Sequence, residues 1–147
     1  MHITSAGRTD VGIIRSGNED SYLMVPDRGI FIVADGMGGH AAGEVASEMA
    51  VRFVARELDS LRGMNDHQVA ERMRTAIRTA NGAIFQRTLT EHDKRGMGTT
   101  VTSLALYETR FPSAKSATAG RTCCATDAST RSRRTTRTYK SRSTRAT

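Results

Sequence analysis

The sequence predicts an α+β layered domain. Three observations lead there. Two short runs of β-branched and aromatic residues are joined by a Pro/Gly turn. Two longer segments carry apolar residues at helical spacing, and a further apolar run follows them. A strand pair, then helices, then another strand fits a sheet with helices gathered beside it, rather than an alternating parallel fold.

The elements follow in order. Residues 2–15 read as an opening strand broken by Gly7 and Gly12. Ser21 to Val25 reads as a second strand, closed by Pro26-Asp27-Arg28-Gly29. Ile30 to Ala34 reads as a third, and the short turn between them predicts an antiparallel hairpin. From Ala41 to Leu61 the period changes: Val45, Met49, Phe53, Val54, Leu58 and Leu61 follow a helical stripe. Asn65 stands three residues before Gln68, the spacing of a capping box. A second helix then lines up Val69, Met73, Ala76, Ile77, Ala80 and Ile84 on one face. Gly82 weakens that helix by about 1 kcal/mol relative to Ala. Val101 to Leu106 returns to a strand. Met49 and Met73 sit at helical spacing and read as core. His67 and His92 read as surface residues.

The stretch from Ile30 to His40 carries the chemistry. An apolar strand ends at Asp35, and glycines follow at 36, 38 and 39. An acid at a strand end is held by a rigid element yet free to face a cleft. The glycines allow close backbone approach, so a main-chain carbonyl can join a carboxylate in holding a hard cation. Asp-Gly alone is ordinary turn chemistry. Two further motifs add to it here. Arg15-Ser16-Gly17-Asn18-Glu19-Asp20 lies upstream, and Gly96-Met97-Gly98-Thr99-Thr100 opens the later strand. The Gly38-Gly39 pair is no P-loop, because no Gly-Lys-Ser/Thr follows it.

These three motifs, in this order, resemble the metal-dependent Ser/Thr protein phosphatases of the PPM or PP2C family, in their bacterial form. The resemblance covers about residues 5–107. It implies the N-terminal part only of a PP2C-like α-β-β-α sandwich. It also implies two Mn²⁺ or Mg²⁺ ions that activate a bridging water to hydrolyse phosphoserine or phosphothreonine. By position, Asp35 matches the bridging carboxylate and Gly36 the backbone ligand. Glu19 and Asp20 match the acidic pair that orders the metals and their waters. Arg15 matches the phosphate-binding arginine, whose planar fork can grip two oxygens. His40 matches a general acid for the leaving oxygen. The implied partners are phosphorylated proteins, substrates of a Ser/Thr kinase. Members of that family continue with a Val-Gly-Asp-Ser-Arg strand-turn and two later aspartates that complete the metal site, and this chain has neither. The activity of this truncated chain is therefore expected to be absent.

Charge divides the chain at the same place. Residues 1–106 hold 12 Lys+Arg and 13 Asp+Glu, whereas residues 107–147 hold 10 and 2, so the formal +7 belongs to the tail. The tail has no Leu, Ile, Val or Met. Such a segment cannot bury enough apolar surface to offset its ordering entropy, and residues 108–147 are expected to be disordered in isolation. Cys123 and Cys124 are adjacent and make no zinc motif. A one-nucleotide shift of register, with synonymous codons chosen, turns residues 114–127 into Gly-Gln-Val-Gly-Asp-Ser-Arg-Ala-Tyr-Leu-Leu-Arg-Asp-Gly. That is the family's next segment, so the tail reads as out of frame from about Phe111 to Ser113, in the gene or in its sequencing.

Two other functions compete. The basic tail could bind nucleic acid non-specifically, with strong salt dependence, though it carries no recognised motif and no specific nucleic acid is expected. The chain could also be an inert phosphate-binding or regulatory relative of phosphatases. The N-terminus lacks a signal-peptide stretch and no segment reaches the roughly 20 apolar residues of a membrane helix. No membrane partner is therefore expected, and the expected location is cytoplasmic.

Overall fold

A computed structural model describes residues 3–38 and 42–106, together with the backbone of strands at 113–119 and 122–128. The elements are β1 (Asp20–Val25), a 3-10 turn (Pro26–Arg28), β2 (Ile30–Met37), α1 (Ala42–Glu57), α2 (Asp66–Thr90), a second 3-10 turn (His92–Lys94), β3 (Gly98–Ala105), β4 (Ser113–Ala119) and β5 (Thr122–Ala128). The strands form one sheet in the order β1-β2-β3-β4-β5, with every neighbouring pair antiparallel.

The hairpin closes as its residues dictate. Pro26 starts the turn, and Gly29 ends it at φ 67° with its N–H donating to the Pro26 carbonyl at 3.0 Å. That left-handed conformation suits glycine, and an added Cβ would also stand 2.2 Å from the Leu106 carbonyl oxygen. Strand alternation then sorts the side chains. Ile30, Ile32 and Ala34 of β2, with Val101, Ser103 and Ala105 of β3, face inward and are buried. α1 packs on β1, β2 and β3, and α2 packs on α1 and reaches β4 and β5. Leu58, Ile77, Ile84, Val54 and Val69 fill the space between helices and sheet with Ile32 and Met97. On the other face the segment around Gly7 lies against Tyr22 and Met24 of β1, with the Tyr22 hydroxyl donating to the Gly7 carbonyl at 3.3 Å, and the remainder is open among the described residues. That face carries Val33 at 57 % exposure, Met37 at 43 % and Tyr22 at 40 %, with Asp20 and Asp35 at one end.

The second helix forms as its sequence predicts. Asn65 accepts from the Gln68 N–H at 2.9 Å and Gln68 accepts from the Asn65 N–H at 2.9 Å, so both sides of the capping box are made. All six stripe residues, from Val69 to Ile84, are buried.

Four expectations need correction. Residues 3–15 form no strand. The Gly12 N–H donates to the Asp10 carboxylate at 2.9 Å, a local turn that competes with extension, and Ile13 and Ile14 are fully exposed. β2 does not stop at Ala34 but runs through Asp35 and Gly36 to Met37, because β1 pairs as far as Asp35 and β3 takes over at Gly36 and Met37. α1 turns a face of small residues inward: Ala42, Ala46, Ser47, Ala50, Val51 and Val54 are buried, while Val45, Met49 and Phe53 are half-buried. Small side chains let the helix axis approach the sheet closely. Last, β4 and β5 lie in the stretch whose composition predicts disorder. The edge of β3 offers a ladder of backbone groups, which pairs without any need for apolar side chains.

Candidate metal centre

Asp35 sits in β2 with its side chain on the open face of the sheet, and it is exposed. Directly across the β1–β2 pair stands Asp20, also exposed. Facing residues in an antiparallel pair have Cβ atoms about 5 Å apart, and like charges placed so repel. Among the described residues no lysine or arginine forms an ion pair with either carboxylate. Among the described residues, the side-chain bond to the pair comes from a neutral group and reaches Asp20. Thr9 donates its hydroxyl to Asp20 at 3.4 Å, and Asn18 donates its amide to Thr9 at 2.7 Å. Asn18 also accepts from the Asp20 N–H at 3.0 Å, an Asx turn that fixes where β1 begins.

Strand alternation separates the acidic pair. Asp20 faces Asp35, but the Glu19 carboxylate turns to the helix side. A Cβ added at Gly43 would stand 2.7 Å from Glu19 Cδ and 2.8 Å from its Oε2. The carboxylate thus abuts the first turn of α1, where the helix dipole favours negative charge. The Glu19 carbonyl accepts from the Gly36 N–H at 3.1 Å. Gly36 is wedged between two backbones: an added Cβ would lie 2.2 Å from the Gly43 carbonyl oxygen and 2.5 Å from that of Glu19. Glycine is needed there for close approach of helix and strand.

The remaining site residues are placed as follows. Arg15 is exposed in the loop before β1, and no hydrogen bond or ion pair ties it to Asp20 or Asp35. His40 lies outside the described residues. Among the described residues no group of three or more His, Cys, Asp or Glu side chains converges on one point. The donor set among the described residues, two facing carboxylates, fits a hard divalent ion in chemistry and is smaller than the ligand number such an ion takes. A shallow groove lined by Met64, His67, Gln68, Glu71, Arg72 and Thr75 lies at the start of α2 and shares no residue with this site.

Sequence reasoning passed over the residues that hold Asp35 in place. The Thr99 hydroxyl donates to the Asp35 carbonyl at 2.9 Å, and the Asp35 N–H donates to the Thr100 hydroxyl at 3.4 Å. The signal was present as two adjacent hydroxyls in the Gly98-Thr99-Thr100 motif. It gains meaning only once β3 is known to pair with β2.

The family profile described as protein phosphatase 2C matches residues 15–128. The serine/threonine protein phosphatase PstP of Mycobacterium tuberculosis is 39 % identical over 106 residues, which span 72 % of this chain and 20 % of that protein. The serine/threonine phosphatase stp of Listeria monocytogenes is 38 % identical over 109 residues, 70 % of this chain and 42 % of that protein. The crystal structure of the catalytic domain of PstP with two manganese ions superposes with a TM-score of 0.66 at 36 % identity, covering 74 % of this chain and 45 % of that one. This chain therefore spans less than half the length of each of these three relatives. No helix among the described residues is long and apolar enough to cross a membrane. The profile covers most of the chain, the relatives agree in kind, and the sheet superposes: the chain belongs to the protein phosphatase 2C family.

Proposed function

We propose that this chain carries part of a metal-dependent phosphoserine/phosphothreonine phosphatase site and is inactive as these 147 residues. The single observation that carries the reading is the Asp20–Asp35 pair: two carboxylates in register across adjacent strands, exposed and in no ion pair among the described residues. Burdening a folded sheet with such a pair makes physical sense when a cation completes it. Asp35, Asp20 and the Gly36 carbonyl would hold Mn²⁺ or Mg²⁺. The metal, when bound, supplies a Lewis acid and lowers the pKa of its bound water.

The chain's own residues have separate tasks. Asp35, paired with Asp20 of β1 and bonded through its main chain to the Thr99 and Thr100 hydroxyls of β3, presents its carboxylate on a rigid element. Asp20 faces it and is oriented by Thr9 and Asn18. Glu19 sits on the helix side and supports Gly36 through its carbonyl. Arg15 binds phosphate oxygens of a phosphoprotein, and His40 protonates the leaving serine or threonine oxygen. One or two carboxylates leave Mn²⁺ or Mg²⁺ largely hydrated and weakly held. That is why this chain alone is expected to bind the ion weakly and to turn nothing over.

The basic tail is best read as out of frame, and resequencing codons 108–114 tests that. A frame-restored protein should hydrolyse p-nitrophenyl phosphate with Mn²⁺, lose activity in EDTA, and fall by orders of magnitude in Asp35→Asn. In that protein Arg15→Ala should mainly raise KM, because the arginine binds phosphate in ground and transition states alike. The test on the present chain is a Mn²⁺ titration followed by electron paramagnetic resonance. Weak binding that Asp35→Asn abolishes supports the reading, and equal binding by wild type and Asp35→Asn contradicts it.

A further inference from the structure

We propose that Thr99 and Thr100 are positioning residues that clamp the main chain of Asp35 and so aim its carboxylate. The proposal rests on the reading of Asp35 as a cation ligand and goes beyond it by naming what holds that ligand.

The backbone around Asp35 explains the need. Pairing of β2 with β3 covers Ile30 to Val33 and resumes at Gly36 and Met37. Ala34 and Asp35 fall in the gap between. Across that gap side chains take over. The Thr100 hydroxyl accepts from the Asp35 N–H at 3.4 Å, and the Thr99 hydroxyl donates to the Asp35 carbonyl at 2.9 Å. The Thr99 oxygen also lies 2.9 Å from the Thr100 carbonyl, so its one proton is shared between two acceptors on facing strands.

The two threonines act from opposite sides. Successive residues of a strand point to opposite faces. Thr99 is wholly buried on the helix side, whereas Thr100 is half-buried on the open face with Asp35. Together they engage both peptide groups that flank the Asp35 Cα. Fixing those two groups fixes the direction of the Cα–Cβ bond, and with it the reach of the carboxylate. On the other edge, the Gly36 N–H is held by Glu19. Metal sites are sensitive to such support: partners one step removed from a ligand commonly change affinity by about 10- to 100-fold when mutated.

Thr99 could instead be a buried hydroxyl with a merely structural bond, and the test separates the two. In the full chain, Thr99→Val removes the donor at constant shape and Thr99→Ser restores it. Thr100→Val, at a half-exposed position, serves if Thr99→Val does not fold. Mn²⁺ affinity is read by electron paramagnetic resonance, and amide hydrogen exchange by NMR. Thr99→Val and Thr100→Val are expected to weaken Mn²⁺ binding about ten-fold, with Thr99→Ser close to wild type. Exchange at the Asp35 amide should quicken in Thr100→Val, while Gly36, held by the Glu19 carbonyl, and Ile32 and Val101 stay as they were. Wild-type Mn²⁺ affinity in both valine variants overturns the proposal. If the wild-type chain binds no Mn²⁺, the cation reading fails instead. The clamp is then judged on exchange: local quickening at Asp35 sustains it, and unchanged exchange there overturns it.

Discussion

Two glycine-to-alanine substitutions should move stability in opposite directions, and the structure sets both magnitudes. At Gly36 an added Cβ would lie 2.2 Å from the Gly43 carbonyl oxygen and 2.5 Å from the Glu19 carbonyl oxygen. Both are backbone atoms, so no side chain can rotate away. Ordinary contact requires α1 to retreat from β2 by roughly 1 Å, and a gap of that size already forfeits a quarter to a half of the dispersion attraction across it. Overpacking of this kind costs about 3 kcal/mol. In a domain of this size that lowers Tm by roughly 12–24 °C. At Gly82, inside α2, an added Cβ meets nothing within 4 Å. Gly82→Ala therefore only gains helix propensity, about 1 kcal/mol, and should raise Tm by roughly 4–8 °C. Circular dichroism melts and urea titrations of the full chain measure both. A Gly36→Ala protein that melts with the wild type would refute the close packing of α1 on β2, and with it the placement of Asp35 beside that contact.

Other outcomes follow from single contacts. Asn65→Ala removes the acceptor of the capping box and should cost about 1 kcal/mol, read as a lower urea midpoint at unchanged slope. Val33→Thr, on the open face at 57 % exposure, should change stability by less than about 0.5 kcal/mol and reduce light scattering from self-association, whereas Ile32→Thr, fully buried beside it, should destabilise strongly. Lys94 donates to Asp93 at 3.0 Å and holds that carboxyl below its ordinary range. A carboxyl depressed on folding adds stability above its unfolded pKa and loses it as pH falls through the folded value. Lys94→Met should therefore flatten the acid limb of the stability–pH curve slightly, measured by urea titration between neutral and acid pH.

Local signals were the ones readable from the sequence. The Pro/Gly turn announced the hairpin, and the Asn65–Gln68 spacing announced the start of α2. The α2 stripe was legible because its residues are large and recur at one period. Tertiary context decided the rest. Gly36 looks like a strand terminator, yet it stays in β2 because Gly43 and Glu19 close around it. The face of α1 is legible only in part: Val54, Leu58 and Leu61 are buried as their spacing predicts, whereas Ala42, Ala46, Ser47 and Ala50 share the inward side and carry little hydrophobic signal. Ser47 bonds to Ser21 of β1 at 2.9 Å, a link no periodicity announces. At the site, Asp35 and Asp20 were both legible as acids in motifs. That they face each other while Glu19 turns away depends on where β1 begins, which Asn18 sets through its turn. The hydroxyls of Thr99 and Thr100 acquire a role only through strand pairing across 64 and 65 positions of sequence.

A p-nitrophenyl phosphate assay on the purified chain with added Mn²⁺ tests the central claim most directly. The claim is that residues 1–147 hold the facing Asp20 and Asp35 carboxylates without the further ligands a two-ion site needs. The account predicts turnover no higher than that of Asp35→Asn measured alongside. Turnover near that of an intact family member, lost in Asp35→Asn, would contradict it.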